Sequence, residues 1–119
     1  MHNFKNLTVW QRSIDLTTEI YLITKNFPAD EKYGLTSQIR RAAVSVPSNI
    51  AEGAGRKSNK EFRHFLSVST GSAFEVESQL IVAHRLNFID EILMNQIMLK
   101  IIEIQKMLYA LEKSVGILN

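Results

Sequence analysis

The sequence predicts an all-α protein, an up-down-up-down antiparallel four-helix bundle that forms a single domain over residues 1–119. Apolar residues recur at steps of three and four in four successive segments. Short turn-like stretches separate these segments, and short connections make consecutive helices antiparallel. The chain has 119 residues and is 45% hydrophobic, which is enough for one core and too little for two.

The first helix is predicted over residues 7–27, with Asn6 as its N-cap. We interpret Trp10 as a core anchor on its inward face. Pro28 is expected to end the helix, because the residue before a proline is pushed out of the helical region. The inward stripe is predicted to contain Trp10, Ile14, Thr17, Tyr21 and Thr24, widened by Leu7, Ile20 and Phe27.

The second helix is expected to start between Asp30 and Thr36, either of which could cap it, and to end at Gly53 and Gly55. Its apolar stripe contains Leu35, Ile39, Ala42, Val46, Ile50 and Gly53. Its polar stripe, about a quarter turn away, contains Gln38, Arg41, Ser45, Asn49, Glu52 and Arg56. A third side with Val44 and Ala51 predicts burial on more than one side, in the bundle or against another subunit.

Pro47 lies inside the second helical pattern and removes one backbone amide donor. The helix must therefore kink or break there. Because both stripes keep their phase through Pro47, a kinked continuous helix is favoured over two separate helices.

The third helix is predicted to begin at a capping box formed by Ser58 and Glu61 and to run to about Leu86. Its inward stripe contains Phe62, Leu66, Ser69, Ala73, Val76, Leu80 and Ala83. Small residues around Gly71 predict close approach of a neighbouring helix. A glycine inside a helix costs about 1 kcal/mol relative to alanine, so a packing reason is expected.

The fourth helix is predicted from Asp90, its N-cap, to about Gly116. Its heptad seam contains Met94, Ile97, Ile101, Ile104, Leu108, Leu111 and Val115. Met98 and Ile102 broaden this seam beyond what one partner helix needs, which favours self-association.

Composition limits the possible functions. The chain has no cysteine, so disulfides and Cys-based zinc sites are excluded. The first residues are polar, which argues against a signal peptide. No apolar run reaches the roughly 20 residues of a membrane span. We therefore expect a cytoplasmic protein without membrane contact.

No catalytic, metal-binding or cofactor-binding motif is evident, so the sequence predicts a protein that is not an enzyme. A di-metal bundle site needs two Glu-x-x-His pairs, and Glu61 with His64 is the single pair present. Glu77 and His84 are seven residues apart, which does not fit. No nucleophile elbow and no phosphate-binding loop with the required spacing is found.

Charge is distributed unevenly along the chain. Residues 40–63 carry six basic and two acidic side chains, a net of +4, whereas residues 71–119 carry a net of −2. The candidate phosphate contacts are Arg40, Arg56, Lys57, Lys60 and Arg63. In the alternative interpretation, Arg41 and Arg56 pair with Glu52 and Glu75 inside an oligomer while the lysines stay solvated.

The segments QIRRAAVSVPSNIAEGAGRKS and EFRHFLSVSTGSAFEVESQL resemble the bacterial four-helix-bundle family encoded in 23S ribosomal RNA intervening sequences. The resemblance spans nearly the whole chain and implies a closed antiparallel bundle that assembles into a ring, with five subunits suggested by relatives. Ser69 and Thr70 depart from the alanine that is frequent in the family. The family's characteristic positions correspond here to Gln38, Arg41, Ser45, Pro47, Asn49, Glu52, Gly53, Gly71, Ser72 and Glu75.

The family has no settled activity, and a distant similarity to accessory proteins of diversity-generating retroelements implies RNA or nucleoprotein binding. Our hypothesis is a non-enzymatic homo-oligomeric scaffold that binds structured RNA through its basic rim. Arg41, Glu52 and Glu75 would hold the assembly together. The alternative is a protein–protein adaptor without a nucleic-acid role, in which the polar motif is purely structural.

Overall fold

The computed structural model describes residues 2–117, and their side chains as far as Val115. Four helices form the described chain: α1 (Thr8–Thr24), α2 (Leu35–Ala54), α3 (Asn59–Arg85) and α4 (Glu91–Ile117). Short 3-10 helices at Phe4–Asn6 and Ala29–Glu31 precede α1 and α2. The described residues contain no strand, so the predicted all-α class is confirmed.

Contacts between the helices show antiparallel packing of consecutive elements. Early residues of α2 lie beside late residues of α1, as Arg40 does beside Thr24. In α3 and α4, the side chains of Glu77 and Gln105 are hydrogen-bonded at 2.7 Å. Lys100 of α4 pairs with Glu19 of α1 at 2.7 Å, which closes the bundle. The molecule measures 46 × 24 × 20 Å, and none of the described helices is long and apolar enough to cross a membrane.

The core follows the predicted stripes of α2, α3 and α4. All seven predicted inward residues of α3 are buried. In α4 the seam is buried from Ile97 to Leu108 and again at Val115, while Met94 and Leu111 pack against its edge. In α2 the predicted apolar stripe is buried except for Leu35, which is partly exposed. These stripes succeed as predictions because strong apolar periodicity identifies the buried face directly.

The predicted inward face of α1 is confirmed only in part, since Ile20, Thr24 and Phe27 are buried and other members of the stripe are not. The buried positions are Val9, Ser13, Leu16, Ile20 and Thr24. Ile14 and Tyr21 are instead 38% and 39% exposed. The buried stripe is hard to recognise in the sequence because it contains the polar residue Ser13. The Ser13 hydroxyl donates to the Trp10 carbonyl at 2.8 Å, so it can be buried without another partner.

Both ends of α1 also differ from the sequence prediction. Asn6 does not cap the helix, which begins at Thr8 after Leu7 without a side-chain cap. Trp10 lies at the edge of the core, half-buried, with its ring 5.1 Å from the ring of Phe4. The helix ends at Thr24, and Phe27 is buried in the turn that follows.

α2 begins within the predicted window, but neither proposed residue caps it. The Glu31 carboxylate accepts a hydrogen bond from the Leu35 amide at 2.9 Å. The helix runs without interruption through Pro47, which confirms one continuous helix, and the kink stays a prediction. The missing amide of Pro47 would have bonded the Ala43 carbonyl, which instead lies 3.0 Å from the Thr17 hydroxyl of α1.

The start of α3 and the start of α4 follow local signals in the sequence. The Ser58 hydroxyl oxygen accepts a hydrogen bond from the Glu61 amide at 3.1 Å, as a capping box requires. The Glu61 carboxylate lies 3.4 Å from the same hydroxyl rather than on a backbone amide. The Asp90 carboxylate accepts from the Leu93 amide at 2.8 Å, which confirms the cap of α4.

Candidate functional site

The contact between α2 and α3 holds four of the characteristic polar and small residues. The Ser45 and Ser72 hydroxyls are 2.7 Å apart, and one of them donates to the other. The Asn49 amide donates to the Ser45 carbonyl and hydroxyl oxygens at 2.8 and 2.9 Å. Gly53 lies further along the same contact. The Ser45–Ser72 bond and the close approach at Gly53 join the two helices within one chain, and Asn49 holds Ser45 from within α2.

Gly53 and Gly71 have opposite surroundings. A Cβ at Gly53 would lie 2.7 Å from the Cβ of Phe65 and 3.2 Å from the carbonyl oxygen of Phe62, so α3 approaches too closely for any side chain. A Cβ at Gly71 would meet nothing within 4 Å. The small residues in the middle of α3 do meet a neighbouring helix, because the Ser69 hydroxyl donates to the Val46 carbonyl at 2.8 Å beside Pro47, but Gly71 itself does not face that contact. Gly71 faces outward in the middle of α3.

A polar groove lies between the first half of α2 and the second half of α3. Its volume is about 490 Å³. We define the polar groove by its lining residues Tyr33, Ser37, Gln38, Arg41, Ala42, Ser45, Ser72, Glu75 and Gln79. Five of the ten characteristic positions line it, because α2 and α3 run antiparallel from the contact between Ser45 and Ser72. One turn from that contact, Arg41 and Glu75 come to the same level of the helix pair.

The two charged residues of the polar groove have no ion-pair partner in the described part of the chain. Arg41 and Glu75 are both exposed, and neither forms a side-chain hydrogen bond there. At the edge of the groove, Gln79 Oε1 is buried without a hydrogen-bond partner among residues 2–115. The groove therefore offers a cation and an anion to a ligand.

A basic corner forms where α2 ends and α3 begins. We define the basic corner as Arg56, Lys57, Lys60 and Arg63. Arg56 lies just after the end of α2, where it pairs with Glu52 of α2 at 2.8 Å and lies 4.9 Å from the centroid of the Phe65 ring. The alternative interpretation paired Arg41 and Arg56 with Glu52 and Glu75 inside an oligomer, and the pair of Arg56 with Glu52 forms within one chain.

The remaining members of the basic corner differ in accessibility. Lys57 and Lys60 are exposed, and neither has an ion pair among the described residues. Arg63 is half-buried, and its Nη1 has no hydrogen-bond partner within the described part of the chain. The lysines are therefore the most accessible positive charges of the corner.

Arg40 does not belong to the basic corner. Its Nε donates to the Thr24 hydroxyl at 2.8 Å, and its Nη2 donates to the Tyr21 carbonyl at 3.2 Å. The guanidinium also lies 4.7 Å from the centroid of the Tyr21 ring. Arg40 is about 21 Å along the helix axis from Ala54, the last residue of α2, and Arg56 lies beyond that end. The five candidate phosphate contacts therefore do not form one patch, and Arg40 instead ties α2 to the end of α1.

An apolar groove of about 320 Å³ lies on the other exposed side of α2, next to α1. It is lined by Phe4, Trp10, Ile14, Thr17, Val44, Pro47, Ser48 and Ala51. The third side of α2 predicted from Val44 and Ala51 is this surface. The bundle covers it incompletely, since Val44 remains 38% exposed.

The candidate metal ligands are used elsewhere or kept apart. The Glu61 carboxylate lies at the Ser58 cap, and the Glu77 carboxylate accepts from Gln105 of α4. No cluster of three or more His, Asp or Glu side chains that could hold a metal occurs among the described residues.

Sequence reasoning misses three lining residues of the polar groove, namely Tyr33, Ser37 and Gln79. Tyr33 lies before α2 in a segment without periodicity. Ser37 and Gln79 belong to different helices and meet only through the antiparallel register. No local pattern could have joined them, although their side-chain chemistry resembles that of the predicted polar stripe.

Comparisons with known proteins agree with the fold. The family model described as 23S rRNA-intervening sequence protein matches residues 5–110. A crystal structure of a protein of unknown function from the S23 ribosomal protein family of Bacteroides thetaiotaomicron is similar, with 25% identity and a TM-score of 0.81. The similarity covers 89% of this chain and 99% of that one. Comparison with curated protein sequences gave no match.

Proposed function

Because the chain belongs to the 23S rRNA-intervening sequence protein family, we propose that it is a non-enzymatic, homo-oligomeric helical scaffold that binds structured RNA or a nucleoprotein through its basic corner. The family name associates its members with ribosomal RNA and supports a nucleic-acid partner. The proposed location is the cytoplasm, where such a partner would be met.

The exposure of Lys57 and Lys60 carries the proposal. Both side chains are unpaired among the described residues and flank the start of α3 at Ser58. Lysine side chains that neutralise phosphates release counterions, and a helix start adds backbone amides that favour an anion. Arg56 would add a third positive charge, held in place by Glu52 and Phe65. Arg63 would contribute its partly exposed guanidinium.

Self-association is supported by the outer face of α3. Gly71 is open there, and the large apolar side chains of Val68, Phe74 and Val82 are 40%, 53% and 45% exposed. An exposed apolar surface around a glycine allows close packing against another helix. We propose that this face contacts a second copy in a ring, for which the resemblance implies five subunits. Phe74→Asp should lower the mass of the assembly in light scattering, while Leu99→Asp, on a residue of α4 that is 72% exposed, should not.

RNA binding is tested by charge reversal. The double variant Lys57→Glu/Lys60→Glu should lose at least about tenfold in affinity for a structured RNA at low salt. The slope of log affinity against log salt should become about two units less steep, one for each lost phosphate contact. The matched control is Lys25→Glu/Lys106→Glu, which changes net charge equally at two exposed lysines outside the corner. Equal losses in both double variants would show that net charge matters and not the corner.

The second candidate function is a protein–protein adaptor without a nucleic-acid role. The apolar groove between α1 and α2 favours it, because solvent-exposed apolar concavities suit protein partners. In this alternative the family's characteristic positions have only a structural role. Purification from native lysate with and without nuclease separates the two functions: the adaptor is supported if a protein partner persists after nuclease and no nucleic acid is recovered.

A further inference from the structure

We propose that the polar groove between α2 and α3 binds the base of an unpaired guanine nucleotide in RNA. The proposal rests on the RNA-binding function proposed above and adds to it a second site that reads a base. The basic corner would contact phosphates, which carry no sequence information, whereas the groove would supply selectivity.

The shape of the groove suits a small polar ligand. Its volume of about 490 Å³ lies within the range of small-molecule sites in proteins. The contact between Ser45 and Ser72 at 2.7 Å holds α2 and α3 together at one end of it. The groove is therefore built between two helices whose separation is set by their own hydrogen bond.

Arg41 and Glu75 together select the ligand chemistry. A simple anion would leave the Glu75 carboxylate unmatched, and a simple cation would leave the Arg41 guanidinium unmatched. Guanine matches both, because N1–H and N2–H donate to the two oxygens of a carboxylate while O6 and N7 accept from arginine. Adenine presents an acceptor at N1, so it cannot donate twice to Glu75.

Tyr33 provides a surface for stacking at the rim of the groove. Its side chain is 88% exposed, the most exposed large apolar side chain among the described residues. Unpaired RNA bases stack on aromatic side chains of this kind. The Lys32 Nζ lies 5.5 Å from the centroid of the Tyr33 ring and brings positive charge close to where a stacked nucleotide would carry its phosphate.

Further polar groups are available for the rest of the nucleotide. Ser37 and Gln38 line the same groove and can hydrogen-bond to ribose hydroxyls or to the free edge of the base. Gln79 borders the groove with an Oε1 that has no donor among the described residues.

The groove and the basic corner lie at different positions along α3. Glu75 follows Lys60 by 15 positions, which is about 22 Å along the axis and about 60° around it. The two sites are therefore separate, and a nucleotide can occupy the groove without contacting the basic corner.

The test uses mononucleotides, whose binding does not require the basic corner. GMP, IMP and AMP are titrated separately and followed by NMR chemical shifts of the protein. IMP lacks the N2 amino group and loses one of the two bonds to Glu75. We expect GMP to bind about tenfold more tightly than IMP or AMP, with shifts concentrated at the groove. Equal affinities for GMP and IMP would overturn the proposal.

Two variants identify the residues that read the base. Glu75→Gln should abolish the preference for GMP over IMP and raise the relative affinity for AMP, because an amide pairs with adenine. Glu91→Gln, an exposed carboxylate at the start of α4, should leave the preference unchanged. Tyr33→Ala should weaken GMP binding about tenfold, and Tyr33→Phe should restore it.

The outcomes separate this site from the proposed RNA-binding function. If Lys57→Glu/Lys60→Glu abolishes binding of structured RNA but GMP and IMP bind equally, the groove proposal fails and the basic corner stands. If GMP selectivity is present and structured RNA binding is unaffected at the corner, the corner fails and the groove stands. If Glu75→Gln changes the mass of the assembly and not the nucleotide preference, the groove is a contact between subunits and the proposal is overturned.

Discussion

Both ends of the α2–α3 helix pair contain charged residues, but the contacts of these residues differ. At the end next to the basic corner, Gly53 lets α3 approach closely, and Arg56 is paired with Glu52. At the other end the helices leave a groove of about 490 Å³ in which Arg41 and Glu75 have no ion pair among the described residues. The positive charge of Arg56 at the first end is paired within the chain. The charges of Arg41 and Glu75 at the second end are available to a ligand.

This difference has a physical basis in the register of the pair. Moving along α2 from Gly53 to Ser45, the contact changes from backbone against the side chains of α3 to hydroxyl against hydroxyl. One turn further, the side chains facing each other are long and charged, and they spread toward solvent. A single antiparallel contact thus produces a tight end and an open end.

The largest expected effect is at the tight end. Gly53→Ala should lower the free energy of unfolding by about 1–3 kcal/mol, because the new methyl group would overlap Phe65 and the Phe62 backbone. Chemical denaturation at a fixed protein concentration measures this. Gly55→Ala is the control, since a Cβ there would make only ordinary contacts at 3.7 Å. Equal effects at the two glycines would refute the tight contact.

The next effect concerns the helix start beside the basic corner. Ser58→Ala should cost about 1 kcal/mol, because the Glu61 amide loses its acceptor. Ser58→Asp should retain most of the stability, since a carboxylate also caps an N-terminus. Thermal unfolding of the three proteins compares them. A neutral Ser58→Ala variant would mean that water replaces the cap at no cost.

A smaller effect of opposite sign is expected on the outer face of α3. Gly71→Ala should raise the free energy of unfolding of the isolated chain by about 0.5–1 kcal/mol, because alanine is the better helix former and the site has room for its methyl group. Unfolding at a concentration low enough to keep the chain monomeric measures this. Destabilisation there would show that the methyl group meets an obstacle within the chain.

The smallest effect is predicted for the open end. Arg41→Gln and Glu75→Gln should each change the free energy of unfolding by less than about 0.5 kcal/mol, as exposed residues without partners usually do. Urea denaturation with overlapping midpoints would support this. A loss above about 1 kcal/mol in either variant would mean that the groove residues stabilise the fold and are not free for a ligand.

The sequence predictions succeed where the residues that determine a feature lie close together in the chain. The start of α3 depends on Ser58 and Glu61, three residues apart, and the start of α4 on Asp90 and Leu93. Both were predictable because each cap is complete within one turn. The face of α1 was predicted only in part, because buried Ser13 looks polar in the sequence while its hydroxyl bonds to Trp10 one turn away.

The candidate site also depends on contacts between helices, which the sequence does not reveal. The residues Arg40, Arg56, Lys57, Lys60 and Arg63 look like one basic run in the sequence. The structure binds Arg40 to the end of α1 and pairs Arg56 with Glu52, which leaves the two lysines most accessible. The polar stripe of α2 was recognised, but its opposite wall on α3 could not be matched to it without the register.

By itself the sequence determined the four helices, their caps at Ser58 and Asp90, and the buried stripes of α2, α3 and α4. These features depend on side chains within a few positions of one another, so the periodicity of the chain contains them. Only the tertiary structure decided that Gly53 is enclosed and Gly71 open, that Thr17 lies beside the carbonyl left free by Pro47, and that Arg41 and Glu75 face one groove. Those features join residues of different helices, 26 positions apart for Thr17 and Ala43, so packing and register set the distances between their side chains.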